Sequence, residues 1–155
     1  MKHAKVRPCL FMRDVAEEAA RFYVDVVPDS RLENVVRPGP DAPAIAVELS
    51  IAGSPFLLLN GNQGFAPSHD FSISVLTEDQ AETDRLWAAL VDGGREGQCG
   101  WLVDRFGVHW QVVPEALPRL MGQGGAAAGR VQAAMMKMRK IDIAQLERAA
   151  AESAT

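Results

Sequence analysis

The sequence predicts an α+β protein of two successive β-α-β-β-β units followed by a helical extension, and three observations carry that prediction. The element order readable between about residues 5 and 62 recurs between about residues 69 and 114. The second of these stretches closes on a β-hairpin, in which Trp101-Leu102-Val103 and Val108-His109-Trp110-Gln111-Val112-Val113 flank Asp104-Arg105-Phe106-Gly107. Asp suits the first place of a turn and Gly tolerates positive φ, so this tetrapeptide reads as the turn. After Pro114 the apolar period becomes helical and stays so to the end of the 155 residues, giving an extension over about 115–155 of a single domain.

Taken in order, Val6 to Met12 reads as a strand, and Asp14 is expected to cap a helix, with Glu17 three residues later as in a capping box. Ala19, Phe22 and Val26 fall at helical spacing, and Pro28-Asp29-Ser30 stops the helix. Extended runs follow at Arg31 to Val36, Ala44 to Ile51 and Pro55 to Asn60, separated by Pro-Gly and Gly-Ser turns. In the second unit Phe71 to Leu76 is the expected first strand, with Phe71, Ile73 and Val75 facing a helix. Thr77-Glu78-Asp79-Gln80 is the expected opening of that helix. Thr83, Leu86, Trp87, Leu90 and Val91 form its apolar stripe, and Gly93-Gly94 provides the left-handed stop. Short strands are expected around Arg95-Glu96, Gly100 to Val103 and Val108 to Val113, with Pro114 as terminator. On the last strand Val108, Trp110 and Val112 share one face, and His109, Gln111 and Val113 the other. In the extension Leu117, Leu120 and Met121 begin a helix that breaks at Gly122-Gln123-Gly124-Gly125, and Val131, Met135 and Met138 then recur at i, i+4 and i+7 before Ile141, Ile143 and Leu146.

Several motifs in this order carry a family resemblance: Pro8-Cys9-Leu10-Phe11, Ala16-Glu17-Glu18-Ala19-Ala20-Arg21-Phe22-Tyr23, Pro28-Asp29-Ser30-Arg31, Gly97-Gln98-Cys99-Gly100-Trp101-Leu102, the Asp104 to Gly107 turn and Lys140-Ile141-Asp142. The chain resembles the PhnB-like subgroup, often labelled 3-demethylubiquinone 3-methyltransferase, of the vicinal-oxygen-chelate superfamily of glyoxalases, extradiol dioxygenases and bleomycin- or fosfomycin-resistance proteins. The resemblance implies paired β-α-β-β-β modules forming a curved mixed sheet around a cup, and pairing of chains into a homodimer.

Bulk composition is that of a globular chain, with 48% hydrophobic and 23% charged residues. A net charge of −4 and a pI near 5.4, with no basic stripe, argue against a nucleic-acid partner. No apolar run approaches the roughly 20 residues that span a bilayer. The N-terminus lacks the apolar stretch of a secretory signal, so a cytoplasmic location is expected. Cys9 and Cys99 are two widely separated cysteines, for which a structural disulfide is not expected. His3 carries no signal.

Metal-dependent members of the resembled superfamily place His, Gln or Glu ligands on cup-facing positions of the first and last strands of each unit. The matching positions here are Pro8 or Cys9, Asn60, Asp70 or Ser72 with His69 just before, and Gln111. A divalent site needs three or four converging His, Cys or carboxylate ligands. This set supplies at most one or two, so no metal and no other cofactor is expected, with His69 and Asp70 the residues to examine for one. The expected ligand pocket is lined by Cys9, Phe11, Glu48, Ser50, Asn60, Ser72, Trp101 and Gln111. Glu48 stands opposite the branched residues of its strand and is the candidate general base, with an ion pair to Arg7 or Arg95 as its alternative role. His109 is a candidate proton shuttle or a buried hydrogen-bonding residue.

The first strand runs through Met12-Arg13-Asp14 into Val15-Ala16-Glu17 without the Gly-rich loop that a Rossmann-type methyl donor site requires, which argues against a methyltransferase. The sequence thus leaves three readings: a metal-free small-molecule-binding protein; a lyase, isomerase or dioxygenase using a cup carboxylate or a weakly held metal; and a structural or regulatory homodimer. The apolar stripe of the extension, which must be covered by something, is the residue-level reason to expect a dimer.

Overall fold

The computed structural model describes residues 4–152, and His3 lies outside them. The chain divides into two compact units, one ending at Ala66 and the other beginning at Pro67.

The first unit contains β1 (Cys9–Met12), α1 (Ala16–Val26), β2 (Arg31–Val36), β3 (Ala46–Ile51) and β4 (Ser54–Asn60), whose strands form one sheet in the order β1-β4-β3-β2. β1 runs parallel to β4, and the other neighbours are antiparallel. Alternation sends Leu10, Val47, Leu49 and Leu58 to one face, where they are buried together with Ala16, Ala19, Ala20 and Tyr23 of α1. The hairpin between β3 and β4 turns on Ala52 and Gly53, at φ 46° and 80°. Positive φ at both central residues marks a type I′ turn, matched to the strand twist and more tightly specified than a generic Gly-Ser connection.

The second unit repeats this connectivity with β5 (Ile73–Thr77), α2 (Gln80–Val91), β6 (Arg95–Glu96), β7 (Trp101–Val103) and β8 (His109–Pro114), in the order β5-β8-β7-β6 with β5 parallel to β8. Leu86, Trp87 and Leu90 of α2 are buried along with Leu102, Trp110 and Val112 of the sheet. The extension adds α3 (Ala116–Met121), α4 (Gly125–Met135) and α5 (Ile143–Ala151). Leu120, Val131, Met138, Ile141 and Leu146 bury one another in a core of their own. Val131, Met138, Ile141 and Leu146 of the stripe that argued for a dimer are therefore covered within the chain, with Met135 partly buried against them.

Four local expectations are corrected. Asp14 does not cap α1; it sits at φ 52°, the N-cap is Val15 without a side-chain bond, and the Ala16 amide donates instead to Asn60 Oδ1 at 2.9 Å. Glu17 makes no capping box, because its carboxylate is engaged by Arg21 at 2.8 Å and by Arg37. α2 opens at Asp79, not Thr77: Asp79 Oδ1 accepts from the Glu82 amide at 2.8 Å, and Glu82 reaches back to the Glu78 amide, also at 2.8 Å. The first strand of the second unit begins at Ile73, because a turn in which the Asp70 amide donates to Ser68 Oγ at 3.1 Å precedes it, and Phe71 is left 44% exposed outside the helix-facing row. Pro114 ends β8 as expected, as its last residue, paired with Thr77.

Candidate functional site

The geometry of the second unit's open sheet face starts at the Asp104 turn. The Asp104 carboxylate is 2% exposed and accepts from the amides of Phe106 at 2.8 Å and Val108 at 3.0 Å and from Trp110 Nε1 at 2.9 Å. The Gly107 amide closes the turn on the Asp104 carbonyl at 3.0 Å, with Gly107 at φ 83° as the turn requires. This anchor fixes the register in which Val103 faces His109 and Trp101 faces Gln111. Since Trp110 is on the helix side, His109 and Gln111 point to the opposite face, on which His109 is buried at 7% exposure and Gln111 is half-buried.

Three rows of side chains result on that face. Arg95, Val103 and His109 form the first; Trp101, Gln111 and Ser74 the second; Val113 and Leu76 the third. His69, from the turn before β5, reaches into this array. Its Nδ1 lies 2.7 Å from Nδ1 of His109, with the rings edge to face at a centroid separation of 4.6 Å. The same ring lies against Trp101 at 4.8 Å between centroids and 37° between planes. Gln111 Nε2 donates to Ser72 Oγ at 2.9 Å. Burial of His109 pushes its imidazole below the ordinary 6.5, and the neighbouring His69 and Arg95 push the same way against a smaller opposing pull from Asp104.

Trp101 is held from behind by the extension. The Cys99 amide donates to the Met138 carbonyl at 2.8 Å and the Gly100 amide to the Arg139 carbonyl at 2.7 Å, while the Val112 amide donates to the Gly100 carbonyl at 2.8 Å. Gly100 is at φ 83°, and a Cβ there would stand 2.8 Å from the Val112 oxygen and 3.2 Å from Ile141, so residues 138–141 form a strap that meets Cys99 and Gly100 at a place only glycine fits.

On the first unit, Cys9, Phe11, Glu48 and Ser50 share the face opposite α1. Cys9 is in register with Leu57, Leu57 with Glu48, and Glu48 with Asn34. Glu48 Oε1 is 2.6 Å from Arg7, and Asn34 Nδ2 donates to Oε2 at 3.4 Å, so of the two arginines considered it is Arg7 that pairs with it. Ser50 is 3% exposed, and its hydroxyl has no hydrogen-bond partner. Asn60 is corrected: it pairs in register with Met12 on the helix side, its Oδ1 accepting from Ala16 and its Nδ2 donating to the Ala44 carbonyl at 2.9 Å, so it is a structural cap and not a pocket group.

The residues present do not fit a resident divalent metal. Among the described residues no group of three or more His, Cys, Asp or Glu side chains converges. Two nitrogens each about 2.0–2.1 Å from a tetrahedral metal stand roughly 3.3 Å apart, whereas the His69 and His109 Nδ1 atoms face each other at 2.7 Å, the distance of a direct hydrogen bond. Asp70, adjacent to His69, is exposed.

The pairing of His69 with His109 escaped the sequence reading, which weighed the two singly. Its signal was positional: β5 and β8 are parallel neighbours, so a residue just before β5 falls beside the start of β8.

Duplicated β-α-β-β-β units, each with its mixed four-stranded sheet, place the protein in the glyoxalase or vicinal-oxygen-chelate class. Within it, the chain belongs to the PhnB-like family described as 3-demethylubiquinone-9 3-methyltransferase, which matches residues 4–113. A putative 3-demethylubiquinone-9 3-methyltransferase, the PhnB protein of Bacillus cereus, is similar at 26% identity and TM-score 0.62, over 72% of this chain and 99% of that one. Protein PA1353 of Pseudomonas aeruginosa shares the fold at 23% identity and TM-score 0.62, over 73% and 98%. The fosfomycin resistance protein FosX of Mesorhizobium loti does so at 15% and 0.55, over 73% and 92%. No curated protein matches the chain. The family match stops at residue 113, so α3 to α5 and the strap behind Trp101 lie outside it.

Proposed function

We propose that this protein binds a small organic molecule on the open sheet face of its second unit, without a metal in the site. The observation that carries this reading is the contact of His69 with both Trp101 and His109 on a face that also leaves Leu76 57% exposed. The part-buried indole and the exposed His69 imidazole offer stacking surface, and Gln111 and Ser72 offer neutral hydrogen bonds, a combination suited to holding a small molecule. Glu48, the carboxylate considered as a general base, is engaged by Arg7, which favours the binding reading over a lyase or isomerase that moves a proton through it. Methyl transfer gains no support from the residues: β1 and α1 are joined by Arg13, Asp14 and Val15, without glycine, and each sheet is mixed where a Rossmann sheet is parallel. The chain has no helix, among the described residues, long and apolar enough to cross a membrane. The test is a protein-observed NMR screen of a diverse fragment library with the Trp101 indole N–H assigned. The expected result is a set of saturable binders that shift Trp101 and His69 together, and a library with no such binder would contradict the proposal.

A further inference from the structure

We infer that the ligand of this face is a small organic acid whose anionic group is received by His69, His109 and Arg95 and whose apolar body lies toward Trp101 and Leu76. The inference deepens the binding reading and rests on it. Its basis is the direction in which polarity changes along β8. Arg95, Val103 and His109 occupy one row; Trp101, Gln111 and Ser74 the next; Val113 and Leu76 the last. Four residues of strand separate His109 from Val113, about 13 Å at the usual rise, a span that suits a molecule of about ten heavy atoms with one charged end.

The sign of the charge follows from the groups present. The strands of the second sheet contain one acidic residue, Glu96, and it lies in the row of Leu102 and Trp110 on the helix side, where it accepts from Trp87 Nε1 at 3.2 Å and pairs with Arg139 at 3.2 Å. Asp104 is turned away into its own turn and onto Trp110. What this end carries on that side is Arg95, exposed and always cationic, together with the exposed His69 ring set edge to face against the buried His109. A hydrogen bond between two Nδ1 atoms requires one ring to carry its proton there and the other to be bare. In the neutral pair one Nε2 is then a donor and the other an acceptor, and if the pair takes up one proton both Nε2 atoms become donors around a single charge. Either state can donate to a carboxylate or an acidic phenol or enol oxygen, and neither contributes a negative charge to repel it.

Benzoate and benzamide, matched in shape and differing in charge, test this on the full chain by titration against the Trp101 indole and the His69 and His109 ring resonances. Benzoate is expected to shift all three saturably with at least tenfold tighter binding than benzamide, and Arg95→Gln and His69→Gln, both at exposed positions, are expected to remove most of that preference. Equal binding of the two probes, or a preference for benzoate that survives both substitutions, would overturn the anion assignment while leaving the binding reading intact. Shifts from neither probe, in a protein that binds neutral fragments at Trp101, would overturn it as well, whereas no binder of any kind at Trp101 defeats the binding reading itself.

Discussion

The two units have the same strand order, the same single parallel pair and a helix on the same side of the connectivity, yet their open faces carry different chemistry. On the first, Arg7, Glu48 and Asn34 satisfy one another, leaving the buried Ser50 hydroxyl beside a closed ion pair. On the second, His69 and His109 meet through one nitrogen each, with an indole against the His69 ring and Arg95 in the row of His109. The helices differ too: α1 is capped by Asn60, 44 residues away, whereas α2 is capped locally by Asp79. A repeated topology is set by alternation and turns, which many residues can supply, while the chemistry of a face depends on a few side chains free to diverge.

The largest expected effect is at the turn that aligns the second face. Asp104→Ala strands two amides and an indole N–H in a buried setting and is expected to cost about 4 kcal/mol, against about 1–2 kcal/mol for Asn60→Ala, which removes the long-range cap of the first unit. Urea midpoints of the two variants measure the contrast, and equal losses would break it. Next is the extension: Ile141, fully buried and in contact range of Gly100, should lose about 3 kcal/mol on truncation to Ala. The Trp101 indole resonance should move as the strap loosens, and an unmoved resonance would separate the extension from the site.

A smaller effect concerns pH. Because the native state holds His109 below the ordinary value of 6.5, the unfolded chain binds a proton that the folded chain resists. This contribution to stability is present above about pH 6.5 and is lost as pH falls toward the native value. His109→Gln should remove that part of the slope, visible as converging stability curves of variant and parent under acid. The smallest effect is expected on the first face, where Glu48→Gln loses the charge of a mostly buried ion pair but keeps a hydrogen-bonding side chain opposite Arg7; it should cost about 1 kcal/mol and leave fragment binding at Trp101 untouched. Lost binding at Trp101 would mean that the two faces are not independent in function.

Much of the fold was legible because it rests on local patterns. The hairpin about Asp104 and Gly107, the stripe of α2 and the alternation Val47, Leu49 against Ala46, Glu48 are short-range signals, and each appears where the residues indicated. What escaped were long-range choices. Asn60 looked like a cup group because nothing local reveals that it reaches the Ala16 amide. Asp14 looked like a cap because the competing asparagine is distant in sequence. Trp101, Gln111 and Ser72 do come together on one face, yet His69 and His109 each read as an isolated histidine, since forty residues separate them and only the parallel pairing of β5 with β8 brings them to 2.7 Å.

The most direct test of the account is therefore the hydrogen bond between those two rings. In uniformly 15N-labelled protein at neutral pH, one of the two histidines should carry its proton on Nδ1 and the other on Nε2, with a scalar coupling between the two Nδ1 nuclei across the hydrogen bond. Two rings in the same Nε2–H form, uncoupled and titrating independently, would contradict the pair and, with it, the assignment of the site to the second unit.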